Sequence, residues 1–243
     1  MKTKLYLLCG LLCDATVWQK QVPILSKMYD VKVFDFLGFD DLTAMAKHLL
    51  ADAQEPFVLI AHSMGARVAL EVMRLAPERV LQLALLDTGV HGVKEGEAEK
   101  RHALLTQAQE QGIAYLVDAW LMPMLAPAKR LDNGITEPLV QMILNAKVEH
   151  FAKHIHALLN RPDTQAGLNN IDCDVLLGVG LQDTWSPVSQ HEAIKQLVPQ
   201  AQLVIFDEGG HMAPFEDAER VNQALLQWLQ PQTVREHQEA PTH

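Results

Sequence analysis

The hydrophobic pattern alternates between two periods. Short, nearly continuous apolar runs occupy Leu5–Cys9, Val31–Phe36, Phe57–Ala61, Leu81–Leu86, Val175–Val179 and Gln202–Phe206. Runs of this kind are what parallel strands show when both faces of a sheet are covered. Between them, apolar residues recur at helical spacing over Leu42–Ala53, Ala66–Leu75, Ser189–Leu197 and Glu216–Leu229. The alternation predicts βαβ units, and hence an α/β fold with a doubly wound, mostly parallel sheet and right-handed crossovers.

One stretch breaks the rhythm. From about Thr88 to about Asn169 no strand pattern occurs, and helical segments are punctuated by Pro123, Pro127, Gly134, Pro138 and Pro162. Connections this long are uncommon unless they fold on their own. The pattern therefore predicts a helical cap at 88–169, inserted into a core made of 1–87 and 170–230. Residues 231–243 are polar and aperiodic, and they predict a disordered tail whose His237 and His243 belong to no site.

Composition narrows the picture. A chain of 243 residues can bury a large core without disulfides or a structural metal. Its net charge of −10 disfavours nucleic acid and anionic membranes as partners, although a local Arg or Lys could override it for a small ligand. No apolar run approaches the ~18 residues of a membrane span. Lys2 and Lys4 before Leu5–Cys13 mimic a signal peptide, but the run is short and Asp14 ends it without a small-x-small cleavage site. A buried strand followed by a turn explains it. Cys9, Cys13 and Cys173 form no disulfide or zinc pattern; as free thiols they predict a reducing, cytoplasmic setting. The sequence carries no signal for oligomeric state.

The chemistry concentrates at Ile60-Ala61-His62-Ser63-Met64-Gly65-Ala66, where a predicted strand meets a predicted helix. A serine hydroxyl is a poor nucleophile unless it is exposed beside a base. A tight strand-to-helix turn provides the exposure, and it needs small residues two before and two after the serine, here Ala61 and Gly65. The alternative is that Ser63 only N-caps the helix. His211 follows the last predicted strand in Asp207-Glu208-Gly209-Gly210-His211-Met212-Ala213-Pro214, and suits a general base on a loop. Asp183, just past the preceding strand, could orient that imidazole or could merely form an Asx turn. Asp87 ends the strand before the cap and competes for the same role; Asp174 begins a strand and fits it poorly.

Together these segments resemble the α/β-hydrolase superfamily, from Leu5 to about Leu229, and more closely its small carboxylesterase-like serine hydrolases with a helical cap. The resemblance implies a triad of Ser63, Asp183 and His211, in the family's chain order, and favours Asp183 over Asp87. It also implies an oxyanion hole from the backbone N–H groups of Met64 and Leu11, the latter on the loop after the first strand. Many relatives carry His-Gly in that loop; this chain has Cys9-Gly10. No cofactor and no metal are implied. His150 and His154 share a helix face, but no HExxH pattern accompanies them, and with His156 they are expected to be solvated.

The cap residues Trp120, Leu121, Met122, Met124, Leu125, Ile143, Phe151 and Ile155 are expected to divide between helix packing and an apolar pocket over Ser63. Arg67, four residues after Ser63, does not by itself select a substrate. The expected activity is cleavage of small apolar carboxylic esters through an acyl-enzyme. A C–C bond hydrolase, an enol-lactonase, a lyase or a cofactor-free haloperoxidase on the same scaffold is the alternative, and a non-catalytic binder is a further one. A nucleophilic aspartate is excluded because position 63 is serine.

Overall fold

Each apolar run becomes a strand. The computed structural model describes residues 2–230; the expected tail at 231–243, with His237 and His243, lies outside the described residues. Six strands form one parallel sheet in the order β2-β1-β3-β4-β5-β6. They are β1 (Lys4–Leu8), β2 (Asp30–Phe34), β3 (Phe57–His62), β4 (Val80–Leu86), β5 (Asp174–Gly180) and β6 (Gln202–Phe206). β3 is buried along its whole length, and β1 and β5 at all but their first residue. The edge strands β2 and β6 are mostly half-exposed, which is why their runs admit Lys32 and Gln202.

The topology places the loops that matter. From β1 the chain steps outward to β2, then returns to β3 on the other side of β1. Winding reverses between β1 and β3, so the loops leaving their carboxyl ends turn away from each other and open a crevice. The glycine loop after β1 and the serine turn after β3 both lie on that crevice.

Between β4 and β5 the chain forms an inserted helical cap. Its main helices are Glu97–Gln111, Asn133–Asn145 and Val148–Leu159. Pro138, expected to punctuate the cap, sits inside Asn133–Asn145. The proline forfeits one helical hydrogen bond, yet the buried face formed by Leu139, Met142 and Ile143 carries the helix past it. The last expected helix divides into Ala213–Glu216 and Ala218–Trp228, interrupted at Asp217. Among the described residues no helix is long and apolar enough to cross a membrane.

Candidate active site

β3 ends at His62 and the elbow helix, Met64–Leu75, begins one residue later. Ser63 alone makes the turn, at φ 54° and ψ −117°, a conformation that costs a side-chain-bearing residue free energy. Its surroundings hold it there. The Ser63 amide donates to the Leu86 carbonyl at 2.9 Å, and the Thr88 hydroxyl donates to the Ser63 carbonyl at 3.0 Å. Gly65 is required by space: a Cβ there would lie 2.7 Å from the carbonyl oxygens of both Leu8 and Cys9. The Ser63 side chain makes no capping hydrogen bond. Its Oγ instead lies 2.8 Å from His211 Nε2.

The loop bearing His211 is fixed through its backbone. The His211 amide donates to the Met124 carbonyl at 2.8 Å, and His62 Nε2 donates to the His211 carbonyl at 2.7 Å. Buried Glu216 accepts from the amides of Gly210, Met212 and Ala126 at 3.1, 2.9 and 2.7 Å. His211 Nδ1 lies 2.8 Å from Asp183 Oδ2. The other oxygen, Oδ1, accepts from the amides of Trp185 and Ser186 at 2.8 and 2.9 Å, so the Asx turn and the contact with His211 coexist. Burial pushes the Asp183 carboxyl up, but the adjacent imidazole and the two amides outweigh it and hold it below its ordinary range.

Asp87 is placed differently. It is fully buried at φ 48°, and its Oδ1 accepts from the Gly180 amide at 2.9 Å. Its Oδ2 is 3.9 Å from His62 Nε2, whereas the imidazole of His211 faces Asp183. Burial, reinforced by the charge of Asp183, raises the Asp87 carboxyl well above its ordinary range. This carboxyl ties the end of β4 to the end of β5 and does not touch His211.

The loop after β1 faces Ser63 closely. A Cβ on Gly10 would come within 2.9 Å of His62 Nδ1 and 3.1 Å of Ser63 Cβ. Leu11 and Met64 both line the cavity at Ser63, and among the described residues no protein acceptor is recorded for either amide. Leu12 is at φ 56°. Its support comes from the cap and corrects an expectation. His154 is not solvated; it is fully buried. Its Nδ1 accepts from the Leu12 amide at 3.1 Å, and its Nε2 donates to the Phe36 carbonyl at 2.7 Å. His150 is half-buried and His156 exposed, and among the described residues no group is arranged to hold a metal ion. The signal for His154 was present in the spacing: Phe151, His154, Ile155 and Leu158 form one buried helical stripe.

A cavity of about 410 Å³ adjoins Ser63 and His211. Of the expected cap residues, Trp120, Met124 and Ile155 line it, while Leu121, Leu125, Ile143 and Phe151 pack in the core. Charged groups that composition could not locate also line it, among them Arg67, Arg101, Arg161 and Glu97.

Three buried imidazoles around the site are neutral. Burial lowers His62 to about 3, and His154 and His191 to about 4 each. His154 and His191 use a bare nitrogen to accept from the amides of Leu12 and Thr88, which protonation would abolish. The unfolded chain takes up these protons near pH 6.5; the folded chain resists until pH 3–4. The contribution of these imidazoles to stability is therefore intact above pH 6.5 and falls as pH drops below it, by up to about 1.4 kcal/mol per unit for each. The buried carboxyls of Glu216, raised to about 7, and of Asp87, also raised, take up protons first in the folded chain and oppose this trend over the same range. The imidazoles are therefore followed directly: their ring NMR shifts should stay constant between pH 6.5 and 5, and shifts that titrate there would contradict neutral burial of these three.

A family model described as alpha/beta hydrolase family matches residues 6–224. The chain belongs to this family. The hydrolase is 28% identical, over 70% of its length, to a 2-hydroxy-6-oxononadienedioate/2-hydroxy-6-oxononatrienedioate hydrolase of Paraburkholderia phymatum, and the match spans 61% of that relative. It is 25% identical to an (E)-2-((N-methylformamido)methylene)succinate hydrolase of Acinetobacter baylyi, over 93% of this chain and 90% of the relative. Among solved structures, a thermophilic esterase from Thermogutta terrifontis with malate bound superposes with a TM-score of 0.84 at 27% identity, covering 94% of this chain and 90% of that one. The chain is thus a catalytic α/β-hydrolase-fold enzyme.

Proposed function

We propose that the hydrolase cleaves a small carbonyl compound by nucleophilic catalysis at Ser63. The observation that carries this reading is the unbroken relay from Ser63 Oγ through His211 to Asp183, with two links of 2.8 Å, beside the cavity. In this reading His211 removes the Ser63 proton as Oγ attacks the carbonyl carbon. Asp183 holds the imidazole's tautomer and balances its charge. The amides of Leu11 and Met64 receive the oxyanion. His211 then returns the proton to the departing group, and water, deprotonated by the same imidazole, releases the acyl chain from Ser63.

The departing group separates the two forms of this reading. We favour an enolate-type leaving group, as in C–C bond hydrolysis or enol-lactone opening. The relatives from Paraburkholderia and Acinetobacter support it, since their substrates as described are unsaturated acids. The charged groups at the cavity also fit such acids better than a plain apolar ester. Simple ester cleavage is the second reading, supported by the likeness to the Thermogutta esterase.

Steady-state kinetics on a 2-hydroxy-6-oxo-dienoic acid, an enol-lactone and p-nitrophenyl butyrate decides between them. The favoured form expects kcat/KM on one of the first two to exceed that on the ester by at least about tenfold, a preference of about 1.4 kcal/mol. The reverse order would select the esterase, and no turnover of any of the three would contradict both.

A further inference from the structure

The chain carries a net charge of −10, yet its cavity has the opposite sign. Arg67, Lys94, Lys100, Arg101 and Arg161 line it against only two carboxylates, Glu95 and Glu97. Two of these cations share one carboxylate. Glu97 accepts from Arg101 Nε at 2.8 Å and from both terminal nitrogens of Arg161 at 2.7 Å.

Lys94 and Lys100 are exposed to solvent, whereas Arg67 is a buried cation outside that pairing. It projects from the elbow helix one turn after Ser63, about 6 Å along the axis, and is nine-tenths buried. Among the described residues its one hydrogen bond runs from Nη1 to the His91 carbonyl at 2.9 Å. Among the described residues no carboxylate pairs with it. Glu71, one turn further on, is engaged by Arg74 and Thr43. Burial and the neighbouring Arg161 lower the Arg67 guanidinium to about 9, so it remains cationic at neutral pH. Glu97 and Asp163 favour its charge through space without touching it, and a buried cation with no carboxylate in contact is costly unless a ligand supplies the charge. No described residue accepts from the edge formed by Nε and Nη2, and this edge matches the two oxygens of a carboxylate.

Building on the hydrolase reading above, we infer that Arg67 is the anion anchor of the substrate cavity, binding a carboxylate of the substrate through its Nε–Nη2 edge a short spacer away from the carbonyl attacked by Ser63. The substrate class is then a short dicarboxylic acid derivative, with one acid group left free and the other end presented to Ser63. This anchor sets specificity and takes no part in proton transfer.

The test is calorimetric binding to the full-length Ser63→Ala protein, with glutarate, its monomethyl and dimethyl esters, and inorganic phosphate as probes. Glutarate and the monoester should bind at least tenfold more tightly than the neutral diester. Adding Arg67→Gln should erase that preference, and Arg67→Lys should retain part of it. Equal binding of the diester, a preference that survives Arg67→Gln, or phosphate binding as tight as glutarate would each overturn the inference. Should Arg67→Gln fail to fold by thermal melt, the probe preference of the Ser63→Ala parent and its partial loss in Arg67→Lys decide instead. Because the readout needs no turnover, its failure leaves the hydrolase reading standing, and failure of every hydrolysis assay leaves this result untouched.

Discussion

Ser63→Ala and His211→Ala are each expected to lower kcat by roughly 10⁴- to 10⁶-fold, and the double variant to lose little more than either alone. In the proposed mechanism the two side chains act as a unit: the hydroxyl needs a base within reach, and Oγ and Nε2 are 2.8 Å apart. Stability should hardly change in Ser63→Ala. The turn at residue 63 is held through its own amide and carbonyl, by the Leu86 carbonyl and the Thr88 hydroxyl, which alanine keeps, and no capping bond is lost. Thermal melts alongside kcat check the pair of claims. A loss of only tenfold, or additive losses in the double variant, would mean that the relay does not carry the reaction.

The second large effect is expected at a residue remote from the triad. His154→Phe should cost about 2–5 kcal/mol of stability, because it strands the Leu12 amide and the Phe36 carbonyl in a buried setting. It should also lower kcat by about 10- to 100-fold with KM little changed, since the freed loop carries Leu11, an oxyanion donor in the proposed mechanism. His154→Gln can offer one acceptor and one donor, and should recover part of both losses. Urea melts and a kcat-against-KM comparison of the two variants test this. If His154→Phe alters stability alone, the cap helix braces the loop without tuning catalysis.

His154 also shows where sequence reasoning stopped. The central strands were legible because burial on both faces leaves continuous apolar runs, as in Phe57–Ala61. The elbow was legible because one serine, one glycine and a strand-to-helix transition are local features. His211 is legible as a loop histidine after the last strand, whereas preferring Asp183 to Asp87 rests on the resemblance and the Gly180-x-x-Asp183 context; in space the 2.8 Å contact with His211 separates the two. A histidine counts as polar, so its sequence context suggests solvation for His154, although its place in the stripe with Phe151, Ile155 and Leu158 marks it as buried. Pro138 suggests a break because propensity is local, whereas the packing of Leu139 and Ile143 is not. The cationic lining of the cavity was beyond reach altogether. Arg67 belongs to the elbow helix and Arg161 follows the last cap helix, and only folding brings them to one cavity.

The central claim is that Ser63 is an activated nucleophile, and labelling tests it most directly. The folded protein is treated with a fluorophosphonate probe and the adduct mapped by mass spectrometry. One covalent adduct per chain is expected, located on the peptide containing Ser63, abolished in Ser63→Ala and strongly slowed in His211→Ala. A folded protein that stays unlabelled, or an adduct on any other residue, would contradict it.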